Sequence, residues 1–351
     1  MSGDSTVNFG LVGFGAWGKM HAQSIAMTEG ARLAAIAAPS EASREEACKL
    51  YPEAQVFAGY QELLALDSID MVDIVTPSHT HREIACAAFA AGKDVLLEKP
   101  MGISLQDCLE INEAATRHRR LLAVGHELRL SSQWGEIKRI IEAGTLGTPQ
   151  YVLVELSRKP YRQGASGWRY DAARVGSWVL EEPIHFFDLA RWYLEDAGNP
   201  SELYAVANSI DAARPGLFDN FSATMRYANG AYALVSQTLA AFEHHQTVKV
   251  TGTKGALWAG WSGALDRTLE PTYFLKVFAD GELREVPIET HSGEVFELRS
   301  EIAMCVKAVR EGGKVIATGE DGLWSAALCL AAEESVATKA IVDVAAFMRR
   351  R

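Results

Sequence analysis

Two short stretches of this chain carry the residue types that proton and hydride chemistry need. In the first, Glu98-Lys99-Pro100 follows the apolar run 95–97. That run reads as a strand, which puts Lys99 at the carboxyl edge of a sheet, where open α/β folds bind ligands. A lysine there can donate to a substrate hydroxyl, and Pro100 biases it to an extended backbone. The second is Glu181-Glu182-Pro183-Ile184-His185-Phe186-Phe187-Asp188. Pro183 suits the first turn of a helix, so His185 lies within that turn and Glu181 just outside it. Burial among apolar neighbours and the positive helix end both disfavour an imidazolium. A neutral imidazole can take the proton that alcohol oxidation releases as hydride leaves. Glu181 or Glu182 can orient the ring or bind hydroxyls. Taken singly, a surface lysine and a satisfied core histidine are the plainer readings. Glu-x-x-x-His also has the spacing of two metal ligands, but no third follows, so no metal is expected.

A phosphate-binding loop accompanies them. Gly13-Phe14-Gly15-Ala16-Trp17-Gly18 fits G-x-G-x-x-G, follows a strand and opens a helix. Gly13 permits the tight turn, Gly15 lets backbone approach a pyrophosphate, and Gly18 lets helix and strand pack closely. The helix start offers free N–H groups and partial positive charge to phosphate. The second strand should end in an acid for the ribose 2′-hydroxyl. This chain has Ala38-Pro39-Ser40 there, with Arg44 beyond. Ser40 can bond a ribose hydroxyl or a 2′-phosphate, and Arg44 can offer charge to the latter. The pair makes a thin phosphate site, so NAD(H) is favoured over NADP(H).

The elements that must position these residues follow from periodicity. Strand-like and helix-like stretches alternate through the first third, which implies a parallel, doubly wound sheet. After about Gly125 strand-like runs dominate, and Asn229-Gly230 between two of them marks a hairpin. The expected fold class is α/β: a Rossmann domain over 1–125, then an α+β domain over 126–351 with a large, mainly antiparallel open sheet. His244 and His245 are expected between strands and exposed. With 351 residues, two domains are favoured, and 48% hydrophobic residues suffice for ordinary cores. A net charge of −11 without a basic run argues against nucleic acid. Five scattered cysteines, no apolar membrane stretch and no signal-peptide pattern predict a cytoplasmic protein with reduced thiols.

These pieces together resemble the glucose–fructose oxidoreductase/inositol dehydrogenase family, Gfo/Idh/MocA, over almost the whole chain. The matching segments are the glycine loop, Thr76-Pro77-Ser78-His79-Thr80-His81, Glu98-Lys99-Pro100, the stretch 125–132, the turn 144–149, and 176–188. The resemblance implies that Lys99 and His185 are the catalytic pair. It implies a coenzyme-lining turn at Thr76, Pro77 and His81, a nicotinamide-ribose contact at Glu98, and a substrate-side Arg129. It also implies association through the open sheet into a dimer or tetramer. Glu181 stands where the family usually has Asp, and Pro183 where it usually has a small residue.

Arg158 and Tyr161, expected in a loop, have the character to reach a substrate, and Trp168 could stack on a sugar face. The leading function is a dehydrogenase acting on a secondary hydroxyl of a sugar, glycoside or polyol. An NAD-dependent glycosidase using transient C3 oxidation and a dinucleotide-binding sensor are the alternatives.

Overall fold

A computed structural model of the chain describes residues 6–239, 241–264 and 267–350. The chain forms two compact units. One comprises Met1–Glu127 with Glu297–Leu323, the other Leu128–Phe296 with Trp324–Arg351. The segment Glu297–Leu323, expected within a domain spanning 126–351, thus packs with the N-terminal unit.

The first unit runs β1 (Val7–Val12), α1 (Ala16–Met27), β2 (Ala31–Ala37), α2 (Glu41–Leu50), β3 (Gln55–Phe57), α3 (Tyr60–Leu64), β4 (Met71–Ile74), α4 (His81–Ala90), β5 (Asp94–Glu98), α5 (Leu105–His118) and β6 (Leu122–Gly125). The strands are short apolar runs, buried end to end in β4 and β6 and at all but one position in β1 and β5, as a sheet covered on both faces requires. All pairings are parallel, in the order β3-β2-β1-β4-β5-β6. Chain direction across the sheet reverses between β1 and β4, and the crevice at such a switch point is where ligands bind. The core gathers Phe9, Leu11, Ile25, Ile36, Met71 and Leu96, with Ile302 and Cys305 from the returning segment.

The second unit contains α6 (Trp134–Glu142), β7 (Pro149–Arg158), α7 (Ala172–Val175), α8 (Pro183–Tyr193), β8 (Glu202–Asn208), β9 (Asn220–Arg226), β10 (Tyr232–Thr238), β11 (His244–Gly252), β12 (Gly255–Gly263), β13 (Thr272–Ala279) and β14 (Glu282–Glu285). Then follow α9 (Glu294–Glu311) and α10 (Gly319–Thr338), each shared between the units, and β15 (Val342–Asp343) and α11 (Val344–Met348). The nine strands lie in the order β14-β13-β12-β11-β7-β10-β9-β8-β15. Among the described residues, β7 and β10 are the pair that runs in parallel.

Alternation divides this sheet into two faces. Val152, Val154, Ala233 and Val235 are buried on the face that α8 covers. The opposite face carries a cross-strand row of Tyr204, Thr224, Leu234, Leu153, Lys249, Trp258 and Lys276. Trp258 in that row is 48% exposed, and Tyr232 and Phe278 nearby are similarly open. The expectation for His244 and His245 is corrected here. They open β11 instead of linking strands, and alternation turns His244 to the buried face with Gln246 and Val248.

Candidate active site

Three neighbouring strands of the first unit end where the sequence puts chemistry. β1 runs into the glycine loop, β4 into Thr76-Pro77, and β5 into Glu98-Lys99. Gly13 has φ +104°, and a Cβ on it would meet the Val75 carbonyl at 2.1 Å. A Cβ on Gly18 would sit 2.1 Å from the Gly13 carbonyl. Those two glycines are therefore demanded by backbone packing. Gly15 differs, since a Cβ there meets nothing within 4 Å. It caps α1 without any side chain, leaving the helix start open to an approaching pyrophosphate. The residues present thus fit a dinucleotide. Phe14 is buried edge-on against Tyr51, and Ala16 begins α1.

One side chain joins the loop to β5. The Trp17 indole Nε1–H donates to Glu98 Oε1 at 2.8 Å. The other oxygen, Glu98 Oε2, accepts the Lys99 backbone N–H at 3.1 Å, and the Lys99–Pro100 peptide is cis. Behind them lies His21, one helical turn from Trp17 and fully buried. Its Nδ1 is 2.8 Å from Asp73 Oδ2 and its Nε2 3.1 Å from Glu98 Oε1. Burial alone would lower the imidazole pKa, but the Asp73 and Glu98 carboxylates outweigh it and hold the ring well above its ordinary value. Burial pulls Glu98 upward, yet its bond to His21 leaves it below the ordinary carboxylate range. Glu301, on α9, is pushed well up by burial and then by Glu98.

His81 spends both ring nitrogens on backbone. Nδ1 is 2.8 Å from the Pro100 carbonyl and Nε2 2.9 Å from that of Thr76, so the ring fastens the end of β4 to the turn after β5. The Thr76 hydroxyl meets that of Thr80 at 2.7 Å. At the end of β2, Ser40 caps α2 by accepting the Ser43 N–H. Arg44 folds back and donates to the carbonyls of Ala38 at 3.0 Å and Pro39 at 2.7 Å.

In the second unit, Pro183 opens α8 and His185 lies in its first turn, buried to 2% exposure. The flanking carboxylates are each paired. Glu181 accepts from Arg169 Nε. Glu182 accepts from Arg158 Nη1 and stands 3.3 Å from His244 Nε2. Arg158 is the last residue of β7, not a loop residue, and its guanidinium lies over the Tyr161 ring at 4.9 Å. Tyr161 is likewise not solvated. It is buried with Val175, Trp178, Leu217 and Leu239, and its hydroxyl donates to Gln237 at 2.8 Å. Trp168 is half-buried beside that cluster, beneath Arg169 at 4.8 Å. Arg129 grips Asp188 with Nε and Nη2, both at 2.7 Å, and Ser325 adds a donor at 3.0 Å.

The first unit therefore brings together the glycine loop, Thr76, Pro77, Glu98 and Lys99. The second brings together Arg158, Tyr161, Glu181, Glu182 and His185. Sequence reasoning missed His21, Asp73, Arg169 and His244 as members of these clusters. The best available signal was Asp73, an acid inside the otherwise apolar strand Met71–Ile74.

The family described as "Oxidoreductase family, NAD-binding Rossmann fold" matches residues 7–126, and the Gfo/Idh/MocA C-terminal domain matches residues 134–258. The chain belongs to the Gfo/Idh/MocA family. It is an NAD(P)-dependent oxidoreductase that acts on CH–OH groups. An inositol 2-dehydrogenase from Rhizobium meliloti (strain 1021) is 28% identical over 347 residues, covering 97% of this chain and all of the relative. A 1,5-anhydro-D-fructose reductase from Ensifer adhaerens is 29% identical over 81% of this chain and 82% of its own. The fold also matches a levoglucosan dehydrogenase in complex with NADH, at TM-score 0.84 and 24% identity, over 97% of this chain and 99% of that one. Among the described residues, no helix of this family member is long and apolar enough to cross a membrane.

Proposed function

We propose that this oxidoreductase is a sugar or polyol dehydrogenase that oxidises a secondary hydroxyl. His185 takes the hydroxyl proton, Lys99 donates to the same oxygen and holds it in line, and Glu181 orients the substrate or the ring. Bound nicotinamide supplies the hydride acceptor. The observation that carries this reading is the 2.8 Å bond from Trp17 to Glu98, which ties the dinucleotide loop to the strand end that bears Lys99. Catalysis by positioned donors needs that kind of fixed geometry. The second unit supports the choice of substrate. Its two carboxylates beside His185 are each paired with an arginine, so the cluster suits an uncharged, hydroxyl-rich molecule. The inositol and anhydrofructose enzymes among the relatives point the same way. NAD is the preferred coenzyme, because Arg44 is occupied by carbonyls. The NADH complex of levoglucosan dehydrogenase agrees.

The test is a screen of inositols, hexoses and glycosides with each coenzyme, followed by nicotinamide absorbance. Reduction of NAD by at least one polyol is expected. Tight dinucleotide binding with no turnover on any of them would sink the reading. The open sheet face, with Tyr232, Trp258 and Phe278 exposed, is proposed as the surface of a homodimer or homotetramer. Light scattering at the 38.2 kDa mass of one chain would refute that.

A further inference from the structure

A buried group of titratable side chains in the first unit lies beneath the glycine loop, and the reaction proposed above does not use it. Asp73 on β4, Glu98 on β5 and Glu301 on α9 are all buried. Cys305 also lies on α9, near Glu301 and Asp73. Among the described residues, His21 is the cation that hydrogen-bonds to both Asp73 and Glu98, and the Lys99 charge also acts on Glu98. Both its nitrogens face carboxylate oxygens, which accept and cannot donate while ionised. A neutral ring has one N–H and would turn a lone pair against a carboxylate away from water. Both ring nitrogens have an acceptor when the ring carries both protons, while Asp73 Oδ1 stays without a hydrogen-bond partner.

We propose that His21 is a positioning residue: held as an imidazolium between Asp73 and Glu98, it fixes Glu98 as a strut joining Trp17 of the glycine loop to the Lys99 backbone. The strut has three attachments. Trp17 Nε1 and His21 Nε2 both meet Glu98 Oε1, and the Lys99 N–H meets Oε2. The Trp17 and His21 rings also touch edge-on, with centroids 5.5 Å apart. Space for the carboxylate is reserved across the ladder by Gly125, where a Cβ would come within 3.2 Å of Glu98 Oε1. If His21 loses its charge, Glu98 becomes a buried carboxylate facing Asp73 with no cation between them. It then protonates or moves, and either response disturbs Trp17 and the root of Lys99. Removing one member of a buried charge pair is costly for this reason.

The proposal rests on the dehydrogenase reading for what Lys99 does, so its test includes readouts that need no substrate. In the full-length protein with 15N-labelled histidine, both His21 ring nitrogens should be protonated from neutral to mildly alkaline pH. A neutral tautomer at neutral pH overturns the proposal. In His21→Gln, the Trp17 indole N–H resonance should shift and exchange faster with water, and NAD(H) affinity should fall about tenfold. A folded His21→Gln protein with an unchanged Trp17 signal and unchanged NAD(H) affinity overturns it, since a purely structural histidine would lower only thermal stability. Should that variant not fold, Asp73→Asn keeps the shape and an acceptor while removing one charge. The His21 proton should then come off at lower pH, and kcat should lose up to about 10²-fold as pH rises through that ionisation, the scale of a small misplacement at the reacting atoms. A kcat profile identical to wild type in Asp73→Asn overturns the role. Wild-type protein that binds no dinucleotide would instead defeat the dehydrogenase reading, and the histidine and indole signals would still decide the strut.

Discussion

The two units bury their carboxylates by different means. Under the glycine loop, Asp73, Glu98 and Glu301 surround a single histidine, so the balance depends on protons. Beside His185, Glu181 and Glu182 each have an arginine, whose charge does not titrate in the working range. In the first cluster the partner of the acids is itself titratable, whereas in the second each acid has a permanently charged arginine, with His244 also 3.3 Å from Glu182.

The largest effects should come from removing the proposed chemistry on each side. His185→Ala should lower kcat by about 10²–10⁴-fold, the usual contribution of a general base, while NAD(H) affinity stays within about threefold, a free-energy change below about 1 kcal/mol. Lys99→Met should cost a comparable factor, and the double variant should fall little below the worse single one because the pair acts as a unit. Steady-state kinetics with isothermal calorimetry check both. A His185→Ala enzyme that keeps half its kcat would make His185 a core residue only.

Next in size are the arginine pairs. Arg158 and Glu182 are both buried, so Arg158→Met should destabilise the protein by about 3 kcal/mol by leaving the Glu182 carboxylate only His244, 3.3 Å away. Arg169 is 27% exposed at its side chain, and water can screen Glu181 when it is lost. Arg169→Met should therefore cost about 1 kcal/mol or less. Urea unfolding of the two variants compares them directly, and equal losses would contradict the difference in burial.

A third contrast is the direction of pH dependence. His21 has a raised pKa in the fold, so its stabilisation is complete below its ordinary 6.5 and is lost as pH rises through the folded value. Glu301 is also raised, by burial first, so its cost is absent below its ordinary 4.5 and grows with pH. Both push the first unit toward lower stability in alkali. In the second unit the group to watch is Glu333, raised from 4.5 to about 7 by burial, with Ser177 opposing. Its cost accrues between those two values and stays constant above them. Glu333→Gln should flatten stability across that window, where one proton accounts for at most about 1.4 kcal/mol per pH unit. The alkaline decline should remain in that variant and shrink in Glu301→Gln. A Glu333→Gln protein with the wild-type slope between 4.5 and 7 would place the titration elsewhere.

The same contrast explains what the sequence disclosed. The parallel sheet was legible because β1, β4 and β5 are apolar runs ending in glycine, threonine-proline and glutamate-lysine, each a local signal. The antiparallel sheet was legible from alternation and from Asn229-Gly230. What stayed hidden was long-range. His21 and Asp73 are 52 residues apart, and nothing local joins them. Arg158 and Glu182 meet only because β7 ends beside the start of α8. The return of Glu297–Leu323 to the first unit was hidden for a related reason. An amphipathic helix shows that it has a buried face without showing which sheet covers it.

The smallest predicted effect concerns coenzyme choice, where the two ends of the dinucleotide loop are set against each other. At the β5 end, Trp17 and Glu98 are locked together, so changes there should affect NAD and NADP alike. At the β2 end, discrimination depends on the 2′-position of the ribose, where no carboxylate repels a phosphate and Ser40 offers one hydroxyl. Arg44 is the residue that could reward a phosphate, but its Nη1 already donates to the carbonyls of Ala38 and Pro39. To bind phosphate it would have to give up both bonds, and a net intramolecular hydrogen bond is worth about 1 kcal/mol. Two such losses offset most of what one exposed arginine–phosphate contact returns. Arg44→Ala should therefore change NADP(H) affinity by less than about threefold, below about 1 kcal/mol, and leave NAD(H) affinity unaltered. Calorimetry with both coenzymes on wild type and variant reads this directly. A wild-type preference for NADP of tenfold, about 1.4 kcal/mol, that disappears in Arg44→Ala would show that the guanidinium leaves its carbonyls to take the phosphate.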